Sequence, residues 1–485
     1  MHLLPPVRVP LLLSCALLPS LLGPPALSET FYESPAAPAP RAPAPSLPPA
    51  APPKSLLKRL LSLARSLLRL LRISLTASPL LLLAPLSLSL PSPRLHDATW
   101  WYATQALQSL GPAFVKLAQW AASRRDLFPP QACDRLAVLH SRARAHAFER
   151  TREALERELG EKAGDLELTE ASPLLGAGAV AQVYRCGRRG GGPDVAVKVK
   201  HPGVGEQIEL DLGLMQMGAA LVDGLPLLGL EWFALPEAVK EFEAIMRNQV
   251  DLTREAENLR RFRRNFGYSD KVAFPEPMEA TTDVLVETYQ PGVLVSEYFD
   301  APPEIRKALA KPLLTAFLKM VFTDNFIHCD LHPGNILVSL TPSGSYKLSL
   351  IDAGIATELR GEDTRNLRDL FLAVVTNEGE AAGRMIVERA KRHDCRDVDA
   401  FARGIGDIVQ EFHDGRSKGL TLGAVRIGSL LGRVLELCRA HRVLLEPAMA
   451  NVVLSTVVLE GVGRTLDPDM NLIDAALPFL LGRGG

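Results

Sequence analysis

FIHCDLHPGNILVSLTPSGSYKLSLIDAG, residues 326–354, is the stretch that decides the fold. Asp330, in His328-Cys329-Asp330, stands five residues before Asn335. Two apolar runs, ILVSL and YKLSLI, then flank a Pro-Ser-Gly turn and deliver a second acid at Asp352-Ala353-Gly354. A hairpin of that length returns Asn335 and Asp352 to one mouth. The spacing has a chemical reason. One carboxylate, Asp330, can orient or deprotonate an acceptor, while the Asn335 amide oxygen and the Asp352 carboxylate hold Mg²⁺ on a polyphosphate. Asp and Asn are common in loops, so this stretch needs support from elsewhere in the chain.

That support lies upstream. EASPLLGAGAVAQVYRCGRRGGGPDVAVKVK, residues 170–200, reads as three strands with a tight glycine turn and a loop at Gly187–Gly192. Gly176, Ala177, Gly178, Ala179, Val180, Ala181 and Gln182, followed by Val183, fit G-x-G-x-x-(G/A)-x-V and are the candidate nucleotide-binding residues. Glycine suits positions where backbone must approach phosphate oxygens with no Cβ between. Lys198 comes fifteen residues after Val183, inside an apolar strand. It is the candidate for the lysine that reaches the α/β-phosphates. Such a lysine needs a helical acid to hold it, and in NQVDLTREAENLRRF (248–262) Asp251, Glu255, Asn258 and Phe262 share one face. Glu255 is the candidate partner. The segment VLVETYQPGVLVSEY (284–298) fits either a strand, a hinge at 287–290 whose backbone bonds adenine, and a second strand, or a plain β-hairpin at 290–292.

Composition narrows the class further. The 485 residues carry 47% hydrophobic and 22% charged side chains with a net charge of −1, which suits a two-lobed globular protein and not a nucleic-acid binder. Six scattered cysteines show no C-x-x-C pair, which excludes a disulfide-stapled secreted module or a structural zinc site. The average conceals an unequal chain. Residues 1–96 have a net charge of +7 and 19 of the 38 prolines, leaving −8 for the remainder. Residues 1–53 read as a Pro/Ala/Leu-rich targeting and disordered region, in which Val9–Gly23 resembles a short secretory core. Residues 54–96 read as a basic amphipathic helix and an apolar membrane-associated segment. Lys58, Arg65, Arg69 and Arg72 fall on one helical face with no acid nearby, the profile of a mitochondrial presequence or a membrane-surface helix. Ile73–Leu90 is uncharged for eighteen residues but holds Pro79 and Pro85, so a kinked or re-entrant segment is as good a reading as a clean span.

The chain resembles the UbiB, or aarF-domain-containing, family of atypical kinase-like proteins from about residue 100 to 475. HCDLHPGN matches the family's catalytic loop, GPAFVKLAQWAASRRDLFP (111–129) its K-x-G-Q element, and LEGVGRTLDPDMNL (459–472) its C-terminal signature. The resemblance implies an α+β, bilobal protein-kinase-like fold with a helical N-terminal extension packed over the active site. The extension would be 97–165, the N-lobe 166–300 and the helical C-lobe 301–485. It also implies site roles for Lys116 and Gln119, with Asp251 as part of the family's E-x-D. Two departures stand out: Ala118 replaces the family glycine, and Gln249 replaces a carboxylate that would meet Lys116. Function is then expected to be that of an ATP- or ADP-binding, Mg²⁺-dependent phosphotransferase or ATPase. By the resemblance it acts at the mitochondrial inner membrane in coenzyme Q biosynthesis, with membrane lipid and proteins of that pathway as partners. A helical pattern begins near Glu362, leaving no room for the long segment on which protein kinases grip a peptide. A nucleotide-binding pseudokinase scaffold is the alternative expectation. Small-molecule kinases share H-x-D-x-x-x-x-N, but the 111–129 element argues against that class.

Overall fold

The computed structural model describes residues 56–90, 92–137, 139, 145–223, 235–417, 427–470 and 472–480. The chain divides into two compact units, Met1–Arg59 and Leu60–Gly485, and the architecture below is that of the second. The expectations for 1–53, Val9–Gly23 included, lie outside the described residues.

Five helices lead the chain: α1 (Leu56–Ser89), α2 (Pro93–Leu110), α3 (Pro112–Ser123), α4 (Pro130–Leu136) and α5 (Phe148–Leu159). Strands β1 (Leu174–Ala177), β2 (Ala181–Cys186) and β3 (Val195–Lys200) precede helices α6 (Val204–Asp223), α7 (Leu235–Val250) and α8 (Leu252–Asn265). Then come β4 (Val272–Ala273), β5 (Pro277–Ala280), β6 (Val284–Thr288) and β7 (Val293–Leu294). Helix α9 (Pro303–Phe322) introduces β8 (Ile327–His328), β9 (Ile336–Leu340), β10 (Tyr346–Leu350) and β11 (Ala356–Thr357). The remainder is helical: α10 (Gly361–Val375), α11 (Gly379–Glu388), α12 (Val398–Ser417), α13 (Ile427–Ala440), α14 (Pro447–Leu466) and α15 (Leu472–Leu480).

One five-stranded sheet runs β1-β2-β3-β6-β5, and a four-stranded sheet runs β4-β10-β9-β7. Alternation in VAVKVK places Val195, Val197 and Val199 in a small core with Val284 and Val286, leaving Ala196 and Lys198 on the opposite face. The chain crosses between the sheets after β6. β7 pairs with β9 and not with β6, so residues 289–292 form a hinge and the plain hairpin is ruled out. Gly292 makes that crossing possible, because a Cβ there would lie 2.6 Å from the Val338 carbonyl. The larger core gathers α8, α9, β8–β10 and α14, with Phe262 stacked on Phe274 at 4.8 Å and against Phe326 at 4.6 Å. The fold is the expected bilobal, kinase-like α+β arrangement. Its α3 extension packs Ala113 against Ile208, Leu212, Phe242 and Met246, with Val180 of the glycine loop on the same cluster.

Helix α1 resolves one reading and corrects another. It is continuous through Pro79 and Pro85, where the sequence left a kinked or re-entrant segment and an unbroken one equally open. The Leu75 carbonyl, which loses its usual i+4 donor at Pro79, accepts the Ser78 hydroxyl at 3.0 Å. Part of the basic face is tied to the protein body, although Arg65 and Arg72 stay exposed. Arg69 forms a paired bond to Asp211 at 2.6 and 2.8 Å, bonds the Leu110 carbonyl and lies 5.9 Å from the Phe114 ring. Arg72 bonds the Ser109 carbonyl at 2.8 Å. The acid that relieves this face is therefore 142 residues away, and the leucines of α1 face outward, with Leu67, Leu68, Leu75, Leu81 and Leu82 all exposed.

Candidate active site

The site lies where the two sheets face each other, in a cavity of about 390 Å³. Its roof is the β1–β2 turn. Gly176 through Ala181 line it, and a Cβ at Gly176 would meet nothing within 4 Å, so packing within the chain does not demand glycine there. The space belongs to the cavity. The turn is held from behind: His201 Nε2 contacts the Gly178 carbonyl at 2.9 Å, and its Nδ1 faces His146 Nδ1 at 2.7 Å. Burial and the neighbouring His201 lower the His146 pKa to about 4, so that ring is neutral.

Gln182 corrects the sequence reading. Strand alternation sends it to the far side of β2, fully buried, where its amide accepts the His146 N–H at 2.9 Å and donates to Thr151 and Tyr184. It pegs the turn from beneath and does not line the cavity. Both histidines and this role of Gln182 escaped the sequence, because the partners lie 36 and 55 residues apart.

Lys198 enters from β3 and bonds both oxygens of Glu255, at 2.9 and 2.8 Å, with Asp352 Oδ1 at 3.3 Å. Asp251 caps the first turn of α8 by accepting the Thr253 N–H at 3.0 Å, so it sets that helix and does not itself line the cavity. One turn on, Glu255 meets the lysine. A further turn on, Asn258 donates to the Ala353 carbonyl at 2.8 Å. One face of α8 thus holds both the lysine and the Asp352-Ala353-Gly354 turn. Burial raises the Glu255 pKa to about 7 despite the adjacent lysine. Asp352 moves the other way: burial opposes its charge, but Lys198 and then Lys116 hold it down to about 2. Its backbone sits at φ 56°, a left-handed conformation that aspartate tolerates better than most residues and that turns the carboxylate into the cavity.

Asp330 and Asn335 line the floor. His328 Nδ1 accepts the Asp330 N–H at 3.2 Å, and burial keeps that imidazole neutral. The Asn335 amide nitrogen donates to the Asp330 carbonyl at 2.9 Å and to its carboxylate at 3.3 Å. No described residue donates to Asn335 Oδ1, so that oxygen can serve a cation. Two protein oxygens of this kind suit Mg²⁺, which completes its shell with phosphate and water. The donor set fits a magnesium-chelated polyphosphate.

Of the extension residues, Lys116 lines the cavity beside Gln249. Gln119 instead donates to the Leu139 carbonyl at 3.0 Å and anchors the chain after α4. Ala118 is buried in the packing of α3. Glu287 was a hinge residue in the sequence reading, valued for its backbone. The structure puts its side chain inside the cavity.

Comparison with known proteins agrees with this geometry. Residues 138–386 match the ABC1 atypical kinase-like domain, and 416–471 match the UbiB helical domain. A mitochondrial ABC1 family protein of Saccharomyces cerevisiae is 31% identical over 492 aligned residues, which cover 86% of this chain and 74% of that protein. A mitochondrial ABC1 family protein of Schizosaccharomyces pombe is 32% identical, covering 77% of this chain and 64% of its own length. A Dictyostelium discoideum protein named as a probable serine/threonine-protein kinase is 28% identical, over 83% of this chain and 68% of its own. With two domain matches in order over most of its globular length and a relative 31% identical over 86% of its full length, the chain belongs to the ABC1/UbiB family of atypical kinase-like proteins.

Proposed function

We propose that this protein is a mitochondrial, Mg²⁺-dependent ATPase or small-acceptor phosphotransferase that supports coenzyme Q biosynthesis at the inner membrane. The observation that carries the catalytic part is the convergence of Lys198, Glu255, Asp330, Asn335 and Asp352 on one cavity. Lys198, fixed by Glu255, would neutralise the α/β-phosphates, and the open backbone at Gly176 and Gly178 would admit phosphate oxygens closely. Mg²⁺, when bound between Asp352 and Asn335, supplies charge stabilisation to the transferring group. Asp330 then orients a water or an acceptor hydroxyl and takes its proton at the carboxylate.

A protein acceptor fits poorly. Helix α10 begins seven residues after Gly354, and the α3 extension brings Lys116 into the cleft. The mitochondrial address is supported by relatives in two yeasts, and the coenzyme Q link by the family resemblance. Membrane contact is supported by the outward leucines of α1, where Leu63–Ser87 has a mean hydropathy of 1.6 and is 6% buried. With Arg69 and Arg72 bonded to the protein body, this helix would lie along a bilayer with its leucine face down.

A scaffold without turnover is favoured by one feature, the loss at Gln249 of the carboxylate that would pair with Lys116. Its Oε1 is buried with no hydrogen-bond partner among the described residues. Mg-ATP turnover by the full chain in liposomes separates the readings. The enzyme reading expects Asp330→Asn to lower turnover at least about 100-fold, while equal turnover in both proteins would support the scaffold.

A further inference from the structure

Two backbone donors of the hinge are used within the fold. The Thr288 N–H is spent on the Glu276 carbonyl at 2.9 Å, and the Tyr289 N–H on the Asp194 carbonyl at 3.0 Å. The Gln290 side chain is also committed, its amide nitrogen to Thr288 and its oxygen to the Ser349 hydroxyl at 3.1 Å. One polar group at this end of the cavity is uncommitted. Glu287 is 8% exposed, and its Oε2 has no hydrogen-bond partner among the described residues.

Strand register fixes where that group points. Glu287 lies directly opposite Ala196, as Leu285 lies opposite Lys198, so Glu287 and Ala196 share the cavity face. The walls around it are apolar. Val183 and Ala196 come from one sheet, and Leu337 and Ile351 face them from the other side. A flat heterocycle would fit between, with its phosphates toward Gly176 and Lys198. A buried carboxyl oxygen without a donor is costly to leave empty, and the group that repairs it is an N–H on the ligand.

We propose that the Glu287 side chain is the base-reading group of this cleft and accepts a hydrogen bond from the exocyclic 6-amino group of an adenine nucleotide. The inference rests on the nucleotide reading of the site and deepens it. In this cleft the carboxyl side chain adds to whatever the hinge backbone offers, since the Thr288 and Tyr289 N–H groups are already used within the fold. Once Glu287 is ionised, a base with a 6-oxo group in the same slot sets oxygen against oxygen and is discriminated against, whereas the protonated carboxyl can donate to that oxygen. Burial, reinforced by Glu255, raises the Glu287 pKa to about 8, which limits the repulsion it would otherwise exert on the phosphates.

The test compares ATP with ITP, whose bases differ at position 6, by equilibrium binding to the full chain with Mg²⁺. At pH 9, above the titration of Glu287, wild type should prefer ATP by roughly 10- to 100-fold. Glu287→Gln, whose amide offers both a donor and an acceptor, should bring the two within about threefold of each other. Glu287→Met, which fills the slot without polar atoms, should remove the preference by weakening ATP. An unchanged ATP-to-ITP ratio in both variants would overturn the role of Glu287 while leaving the nucleotide site standing. Absence of any nucleotide binding by wild type, matched by Lys198→Met, would overturn the nucleotide reading and this inference with it.

Discussion

Two buried clusters of charge lie within this fold, and they do different work. Around Arg124, every side-chain nitrogen is matched: Nε and Nη2 bond the two oxygens of Asp126 at 2.8 and 2.7 Å, and Nη1 bonds Glu241. Trp120 covers the guanidinium at 5.3 Å. Arg124 and Asp126 side chains are both 0% exposed. Around Lys198 the pairing is incomplete. Asp352 keeps 46% of its side chain accessible, Glu287 Oε2 has no partner among the described residues, and all of them face an open cavity. Burial of charge is common to both, so burial alone does not mark a site. Unspent hydrogen-bonding capacity beside open volume does. The Arg124 cluster ties the α3 extension to α7, whereas the Lys198 cluster keeps room for a ligand.

The comparison breaks most readily at Arg124. Arg124→Ala should cost about 3–5 kcal/mol in chemical denaturation, because Asp126 and Glu241 are left buried without their cation. A cost below about 1 kcal/mol would place the cluster among ordinary surface pairs. Lys198→Met should do the reverse: nucleotide affinity falls at least about 100-fold, or ~2.7 kcal/mol. Unliganded stability should change less than in Arg124→Ala, because burial already raises the Glu255 pKa and without the lysine that carboxyl can take a proton, while Asp352 stays partly open to solvent. A Tm loss as large as that of Arg124→Ala would make the two clusters equivalent.

Arg69→Ala tests an intermediate case, a buried pair at the edge of the fold. It should cost ~1–3 kcal/mol and speed proteolysis within α1, with nucleotide binding retained. A pH profile sharpens the comparison further. The folded-state pKa of Glu287 is raised to about 8 from an ordinary 4.5, so the folded protein holds a proton that the unfolded chain has lost. Stability should therefore fall as pH rises from about 5 to about 8 and level off above that. Glu287→Gln should remove part of this slope, with Glu255 supplying the remainder. Identical slopes in both proteins would show that Glu287 is charged in the fold.

What the sequence made legible follows the range of each interaction. The stretch 326–354 could be read because Asp330, Asn335 and Asp352 are set by one local hairpin, β9–β10. The pairing of Lys198 with Glu255 could be reached across 57 residues because strand and helix each declared a face. Gln182 was misread because a motif letter does not say which face of a strand carries it. Arg69 was misread for a stronger reason. Its counter-charge, Asp211, sits on α6, and no local pattern connects the two. Glu287 was legible as a hinge position, but its importance depends on which neighbouring backbone donors are already used, and only the assembled sheet reveals that.

The convergence of Lys198 with Asp330, Asn335 and Asp352 around a magnesium-bound polyphosphate is tested most directly by thermal shift with Mg-ATP. At about 100 times Kd, ligand binding adds ~2.7 kcal/mol to the folded state. Wild type should show a clear, Mg²⁺-dependent rise in Tm, and Asp352→Asn, with its unliganded Tm preserved, should show none. A rise of the same size in both proteins would contradict the account.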